Sequence, residues 1–398
     1  MTNAPAMAAA PAAFSAETKA YRLPWYFYLL VCGAAFIPVG VLWDISWHST
    51  IGRDTFWTPA HMMIQLGGLI AGFTCGWLAW KTNFLGTPEE RAAAVSFLGL
   101  RAPLGCWVAI WGCCMMVFSA PFDNWWHDAY GLDVQILSPP HTLLAVGMLG
   151  VNVGVLLLML SAQNRAGAEL PQIKWLFIFM TGVLLLMAAI FLTENSYPNH
   201  QHSKLFYRQA AVTYPLYLMV AARASRLPFP ATICAATYMG LTLIMGWVLP
   251  LFPGEPKLGP IYNPVQHMVP PAFPTLLIVP AFALDLVMMF LGRKPGFWRD
   301  SFLSLLLGPL FVAILVAVQW NFSKFLLTPA ADNWFFIGNR YWWYFAHEGD
   351  WRHEFWDGAA SSPFEPKIML QLLFATGFAI LSARVGLGFG RWMTRVQR

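Results

Sequence analysis

Apolar residues gather along this chain in about ten stretches, each long enough or nearly long enough to cross a bilayer as a helix. They lie near residues 25–44, 60–80, 103–121, 140–161, 173–193, 209–222, 229–250, 271–291, 302–327 and 367–390, with polar loops between them. The stretch at 209–222 is the shortest and contains Pro215. Gly67, Gly68, Pro280 and Pro309 also fall inside spans, where neighbouring helices can cover the backbone. The pattern predicts an all-α polytopic membrane protein of about ten transmembrane helices.

Composition agrees. Of 398 residues, 58% are hydrophobic and 11% charged, against about 25% charged in a soluble domain. The net charge of +5 is spread over loops and forms no nucleic-acid patch. Six cysteines lie in apolar stretches without a CxxC pair, so they read as small apolar filler. Residues 1–22 form an Ala/Pro-rich tail with no signal-peptide pattern and are expected to be disordered. Residues 23–165 then form a four-helix unit, and 166–398 a C-terminal unit of about six helices.

Basic residues orient the chain. Lys19, Arg22, Lys81, Arg91, Arg101, Arg165, Lys174, Arg223, Arg226, Arg293, Lys294, Arg299 and the C-terminal arginines favour one set of loops, which places both termini in the cytoplasm. Lys204, Arg208 and Lys257 run against this trend. All nine histidines (48, 61, 127, 141, 200, 202, 267, 347 and 353) then fall on the outer side.

Two outer segments repeat. DISWHSTIGRDTFWTPAH (44–61) and DNWWHDAYGLDVQILSPPH (123–141) align through Asp44/Asp123, Trp47/Trp126, His48/His127, Gly52/Gly131 and Asp54/Asp133. One inserted residue then aligns Pro59 with Pro139 and His61 with His141. The stretches 25–80 and 103–161 thus read as two copies of one helix–loop–helix unit. An Asp and a His four residues apart share one helix face. The second His follows a proline suited to a first helical turn, which fixes its position. Asp44, His48 and His61, and again Asp123, His127 and His141, offer one carboxylate and two imidazoles with coordination positions left open. That donor set suits copper, non-haem iron or catalytic zinc. Asp54 and Asp133 are candidates for orienting a histidine or for capping the loop.

At these residues the chain resembles the third subunit of the copper-dependent membrane monooxygenases, the particulate methane and ammonia monooxygenase family. In that family the third subunit has D-x3-H-x12-H followed by N-x3-H-x13-H at membrane helix ends. Asp44, His48 and His61 match the first pattern, with Trp47, Arg53, Asp54, Thr55, Thr58 and Pro59 around them. Asp123, His127 and His141 match the second, except that Asp123 stands where the family has Asn. The likeness covers about residues 25–162, and the chain is longer than the family's third subunit. It implies copper and oxidation of a small, poorly reactive molecule with dioxygen. It also implies a hetero-oligomer with partners like the family's first and second subunits (A- and B-like), a quinol or other electron donor, and a bacterial-type inner membrane with the sites towards the periplasm.

The rest of the chain offers weaker chemistry. His200 and His202, two apart, can chelate only on extended backbone. His267 reads as a lone interfacial residue, and His347, Asp350, His353 and Glu354 as a surface loop helix. Asp285, deep in a span, is expected to neutralise Arg384, with a place on a proton path as the alternative. The leading function is a copper-dependent oxidoreductase subunit. A metal uptake or delivery protein, and a structural or electron-transfer subunit, are the alternatives.

Overall fold

The computed structural model describes residues 23–53, 55–131, 138–166, 171–292, 294, 296–347 and 352–397. The described chain is helical apart from its connections and a small hairpin, β1 (Val95–Phe97) and β2 (Leu100–Ala102). In order the helices are α1 (Trp25–Thr50), α2 (Pro59–Phe84), the short α3 (Pro88–Ala92), α4 (Leu104–Tyr130), α5 (Pro139–Ala166) and α6 (Pro171–Ile190). They continue with α7 (Lys204–Ala224), α8 (Pro230–Val248), α9 (Ile278–Leu291), α10 (Phe297–Leu326) and α11 (Pro366–Met393). Each predicted apolar stretch overlaps one of these helices. Eight of the helices are long and apolar enough to cross a membrane. At 14 residues α9 is shorter, and its expected first residues, from 271 onward, are non-helical. The helix α7 carries Lys204 and Arg208 in its first turns. The chain is a polytopic, helical membrane protein.

Two apolar cores organise the bundle. One joins α1, α2, α4, α5 and α6; the other joins α6 to α11 and takes in the C-terminal end of α1. The first core owes its tightness to small residues, because packing of helices in lipid gains most from close backbone approach. A Cβ on Gly67 would lie 2.5 Å from the Gly33 carbonyl oxygen, and one on Gly40 would lie 2.7 Å from the Ile64 side chain. Between α4 and α5 a Cβ on Gly112 would meet the Val151 amide nitrogen at 2.5 Å and the Gly147 carbonyl at 2.7 Å. Both pairs therefore run antiparallel and in close contact.

In the second core the buried charges are matched. Asp300 on α10 is fully buried, bonded by the Arg223 guanidinium of α7, with Arg391 of α11 3.6 Å away. Asp285 corrects an expectation. It does not pair with Arg384; its carboxylate accepts from the Ala231 and Thr232 amides and the Thr232 hydroxyl at 2.8–3.1 Å, capping α8. First-turn amides lack helical partners, and a carboxylate is well suited to them. Arg384 instead donates to the Ser301 hydroxyl and lies over the Phe297 ring.

At the end of the bundle holding the histidines, separate connections join into one cap. Lys257 N–H donates to the Ile51 carbonyl, Tyr344 N–H to Ser49, Trp356 N–H to Asn199 and Ala360 N–H to His202.

Candidate metal centre

The first cluster sits where α1 ends and α2 begins. Asp44 and His48, one turn apart on α1, bring the Asp44 Oδ2 and His48 Nε2 atoms to 3.9 Å. Pro59 opens α2, so His61 falls in its first turn with Nε2 3.0 Å from Asp44 Oδ1. Gly40, one turn before Asp44, permits the close crossing that brings α2 to this carboxylate. Among the described residues, Asp44, His48 and His61 are the group of three whose ligand atoms all lie within 4.8 Å of one another.

The second ring nitrogen of His61 decides the chemistry. His61 Nδ1 is 3.1 Å from the Thr55 carbonyl oxygen. A carbonyl only accepts, so Nδ1 carries the proton and donates it. In neutral imidazole Nε2 is then a bare lone pair, and it faces a carboxylate oxygen that also only accepts. Two lone pairs 3.0 Å apart call for a cation between or beside them, either a proton or a metal ion. Metal-binding histidines are oriented in this way by a backbone carbonyl on the far nitrogen.

The second cluster is built on α4 and α5 in the same order. Asp123 Oδ2 lies 3.5 Å from His127 Nε2, and Asp123 Oδ1 lies 3.9 Å from His141 Nε2. His127 Nδ1 is 3.1 Å from the Gly131 carbonyl, so this ring too donates from Nδ1 and turns Nε2 towards the carboxylate. His141 Nδ1 instead meets the Ser138 hydroxyl at 2.9 Å, a group able to donate or accept. The aligned glycines 52 and 131 both have positive φ, 79° and 84°, a backbone region that favours glycine. Oδ1 of both Asp44 and Asp123 is a buried atom that accepts no hydrogen bond.

Sequence spacing selects six ligand candidates; among the described residues the fold gathers Asp44, His48 and His61 into one close group, while in the second unit His127 and His141 each lie near Asp123 without the three forming such a group. Spacing misses the carbonyls of Thr55 and Gly131, since any residue carries a carbonyl and only the loop conformation aims it. Asp54, Asp133 and Asp350 lie outside the described residues.

The other histidines do not form a centre among the described residues. The ring of His202, which is buried, stacks between Trp320 and Phe355 at 3.7 Å, with its two nitrogens 3.0 Å from the carbonyls of Ala360 and Trp320. Neither nitrogen is left for a shared ion, so chelation with His200 does not occur in this arrangement. His200 stacks on Trp356, and burial holds both imidazoles below their ordinary pKa. His353 Nε2 is 3.0 Å from Asp332, His347 stacks on Tyr262, and His267 donates to its neighbour's carbonyl.

Compared with known proteins, the chain matches no family model, no curated protein and no solved structure.

Proposed function

We propose that this chain is the copper-binding membrane component of an oxidoreductase that oxidises a small, poorly reactive substrate with dioxygen. The observation that carries the reading is the orientation of His61 and His127. Each commits Nδ1–H to a backbone carbonyl and turns Nε2 towards an aspartate. Asp44, His48 and His61 would hold one ion, and Asp123, His127 and His141 a second. Copper at such a site supplies one-electron redox chemistry with dioxygen. Of the protein groups, the carboxylate offsets the ion's charge, and the carbonyl-anchored rings hold their lone pairs in place. The Pro-started helices α2 and α5 set the third donor. The donor set also accepts iron or zinc, and the preference for copper rests on the sequence resemblance to the membrane monooxygenases.

On this reading the ten long or near-long helices are all membrane elements, and α1–α2 and α4–α5 are copies of one ancestral unit. The termini lie in the cytoplasm, and the metal sites face the periplasm of a bacterial-type inner membrane. Support comes from the basic-residue bias and from the placing of the histidines at helix ends and in connections. A- and B-like partners and a quinol or other electron donor complete the assembly.

Metal analysis with electron spin resonance on the purified chain tests the proposal. Two coppers with nitrogen hyperfine structure are expected, one lost in His48→Ala and the other in His127→Ala. A chain that takes up no copper, or whose copper survives both changes, overturns it.

A further inference from the structure

The absence of a pair between Asp285 and Arg384 leaves a charge to account for. Arg384 lies on α11 nine residues before its end at Met393, about 14 Å by helical rise. A guanidinium at that depth in a membrane helix is costly, and it needs a counter-charge or a route to the surface. The side chain takes the route. A Cβ on Gly388, one turn further on, would lie 3.5 Å from an Arg384 guanidinium nitrogen, and the guanidinium stands 4.9 Å from the centre of the Phe297 ring. Phe297 opens α10, so Arg384 stretches along α11 to the level where the neighbouring helix starts. There it donates to the Ser301 hydroxyl at 3.2 Å. Both partners are uncharged, and among the described residues no carboxylate pairs with Arg384.

The carboxylate next to Ser301 is already shared. Asp300 is held by Arg223 and lies 3.6 Å from Arg391. Along this seam of α7, α10 and α11, three guanidinium groups stand against one carboxylate, a surplus of two positive charges. The Arg391 side chain is 29% exposed, so N–H groups not turned to Asp300 reach the surface. Arg384 and Arg391 are two turns apart on one face of α11, about 10 Å along the axis. The reach of Arg384 towards Gly388 shortens that gap. The surroundings are apolar and open. Trp298 follows Phe297 and Trp392 follows Arg391, both exposed, as tryptophans are at the level of lipid headgroups. Phe302 and Leu305 on α10, with Leu381 and Val385 on α11, continue an exposed apolar face along both helices.

We propose that the seam between α10 and α11 binds an anionic phospholipid. Arg384 and Arg391 hold its phosphate diester, and its acyl chains lie along the apolar face. Charge selects the headgroup, because a zwitterionic lipid brings its own cation and leaves the surplus as it was. The apolar face selects a lipid over free phosphate, since a water-soluble anion gains nothing from it. The site rests on the membrane reading of α10 and α11 and is independent of the metal reading.

Titration of the full-length chain in neutral detergent with short-chain lipids tests this, read by melting temperature and by native mass spectrometry. Phosphatidylglycerol should stabilise the chain saturably, with at least tenfold higher apparent affinity than phosphatidylcholine, and inorganic phosphate should give no shift. Arg384→Gln and Arg391→Gln should each weaken phosphatidylglycerol at least fivefold, and Arg384→Lys should retain most of the affinity. Arg101→Gln, which removes an exposed arginine on β2, should leave it unaltered. Equal response to the two lipids, a full response to inorganic phosphate, an unaltered response in Arg384→Gln, or an equal loss in Arg101→Gln would each overturn the proposal. Should Arg391→Gln fail to fold because Asp300 loses a partner, Arg384→Gln still decides.

Discussion

The two Asp–His–His units use the same parts and close to different degrees. In the first, the histidine after the loop meets its aspartate at 3.0 Å; in the second the same contact is 3.9 Å. The exposure pattern also reverses. In the first unit His48 is the more open ring, 48% exposed against 27% for His61, whereas in the second His141 is the more open, 41% against 28% for His127. The cause is local. His61 is anchored through a backbone carbonyl, while His141 is held by a serine hydroxyl whose own proton can turn. The first loop is also tied into the cap through Ser49, Thr50 and Ile51, and the side chain of Tyr344 lies against Gly52. A shared constellation thus fixes which atoms meet, and the supports around it fix how firmly.

The largest effect should come from separating the helices that carry each unit. Gly112→Ala puts a methyl group against backbone of α5 on several sides, and backbone cannot step aside. A loss of about 1–3 kcal/mol is expected, with a matching fall in thermal stability in detergent. Gly40→Ala meets chiefly the Ile64 side chain, which can change rotamer, so its cost should be smaller and its effect on the first site greater. Equal losses for the two would break the contrast.

Next come the ligands. His61→Ala should lower metal affinity of the first site by more than the ~10–100-fold that outer partners alone carry. His141→Ala should cost the second site less, because its ring starts farther from the carboxylate. Competitive metal titration of each variant reads this directly, and a reversed order would show that the second site is the tighter one.

A pH effect should be smaller. Burial depresses the pKa of His200 in the folded chain, while the unfolded chain keeps about 6.5. Between the folded and unfolded values the unfolded chain binds more protons, so cap stability rises with pH and is lost as pH falls below about 6.5. Amide exchange at Trp356 should quicken on acidification, whereas the α4–α5 loop, which does not carry that ring, should respond less. Smallest of all is Ser138→Ala, which removes the N-cap hydroxyl of α5 and frees His141. A few-fold loss at the second site and about 0.5–2 kcal/mol in helix stability are expected.

Much of this is legible in the sequence because its signals are local. Apolar blocks locate the helices, and i,i+4 spacing with a Pro-started next helix locates the ligand candidates. What escapes depends on contacts distant along the chain. Asp285 is an apolar-span carboxylate for which composition suggests a charged partner; the amides it caps lie more than fifty residues away and leave no mark in composition. His200 and His202 have the spacing of a chelating pair, and spacing cannot show that Trp320 and Ala360 occupy both nitrogens of one ring. The start of α9 is shifted because Pro270, Pro271 and Pro274 deny the helix amide donors, although the hydropathy of the run is that of a span.

The capped start of α8 bears on how the chain is assembled during synthesis. At 14 residues, α9 reaches about 21 Å, short of a hydrocarbon core about 30 Å thick. It also carries a carboxylate that lipid disfavours. Its partner amides belong to α8, which leaves the ribosome first and offers a docking end before α9 is released. Insertion of α9 is therefore expected to wait for α8 and to proceed as a hairpin with α10. Asp285→Leu should let α9 partition alone, trading obligate order in biogenesis for a frayed start of α8.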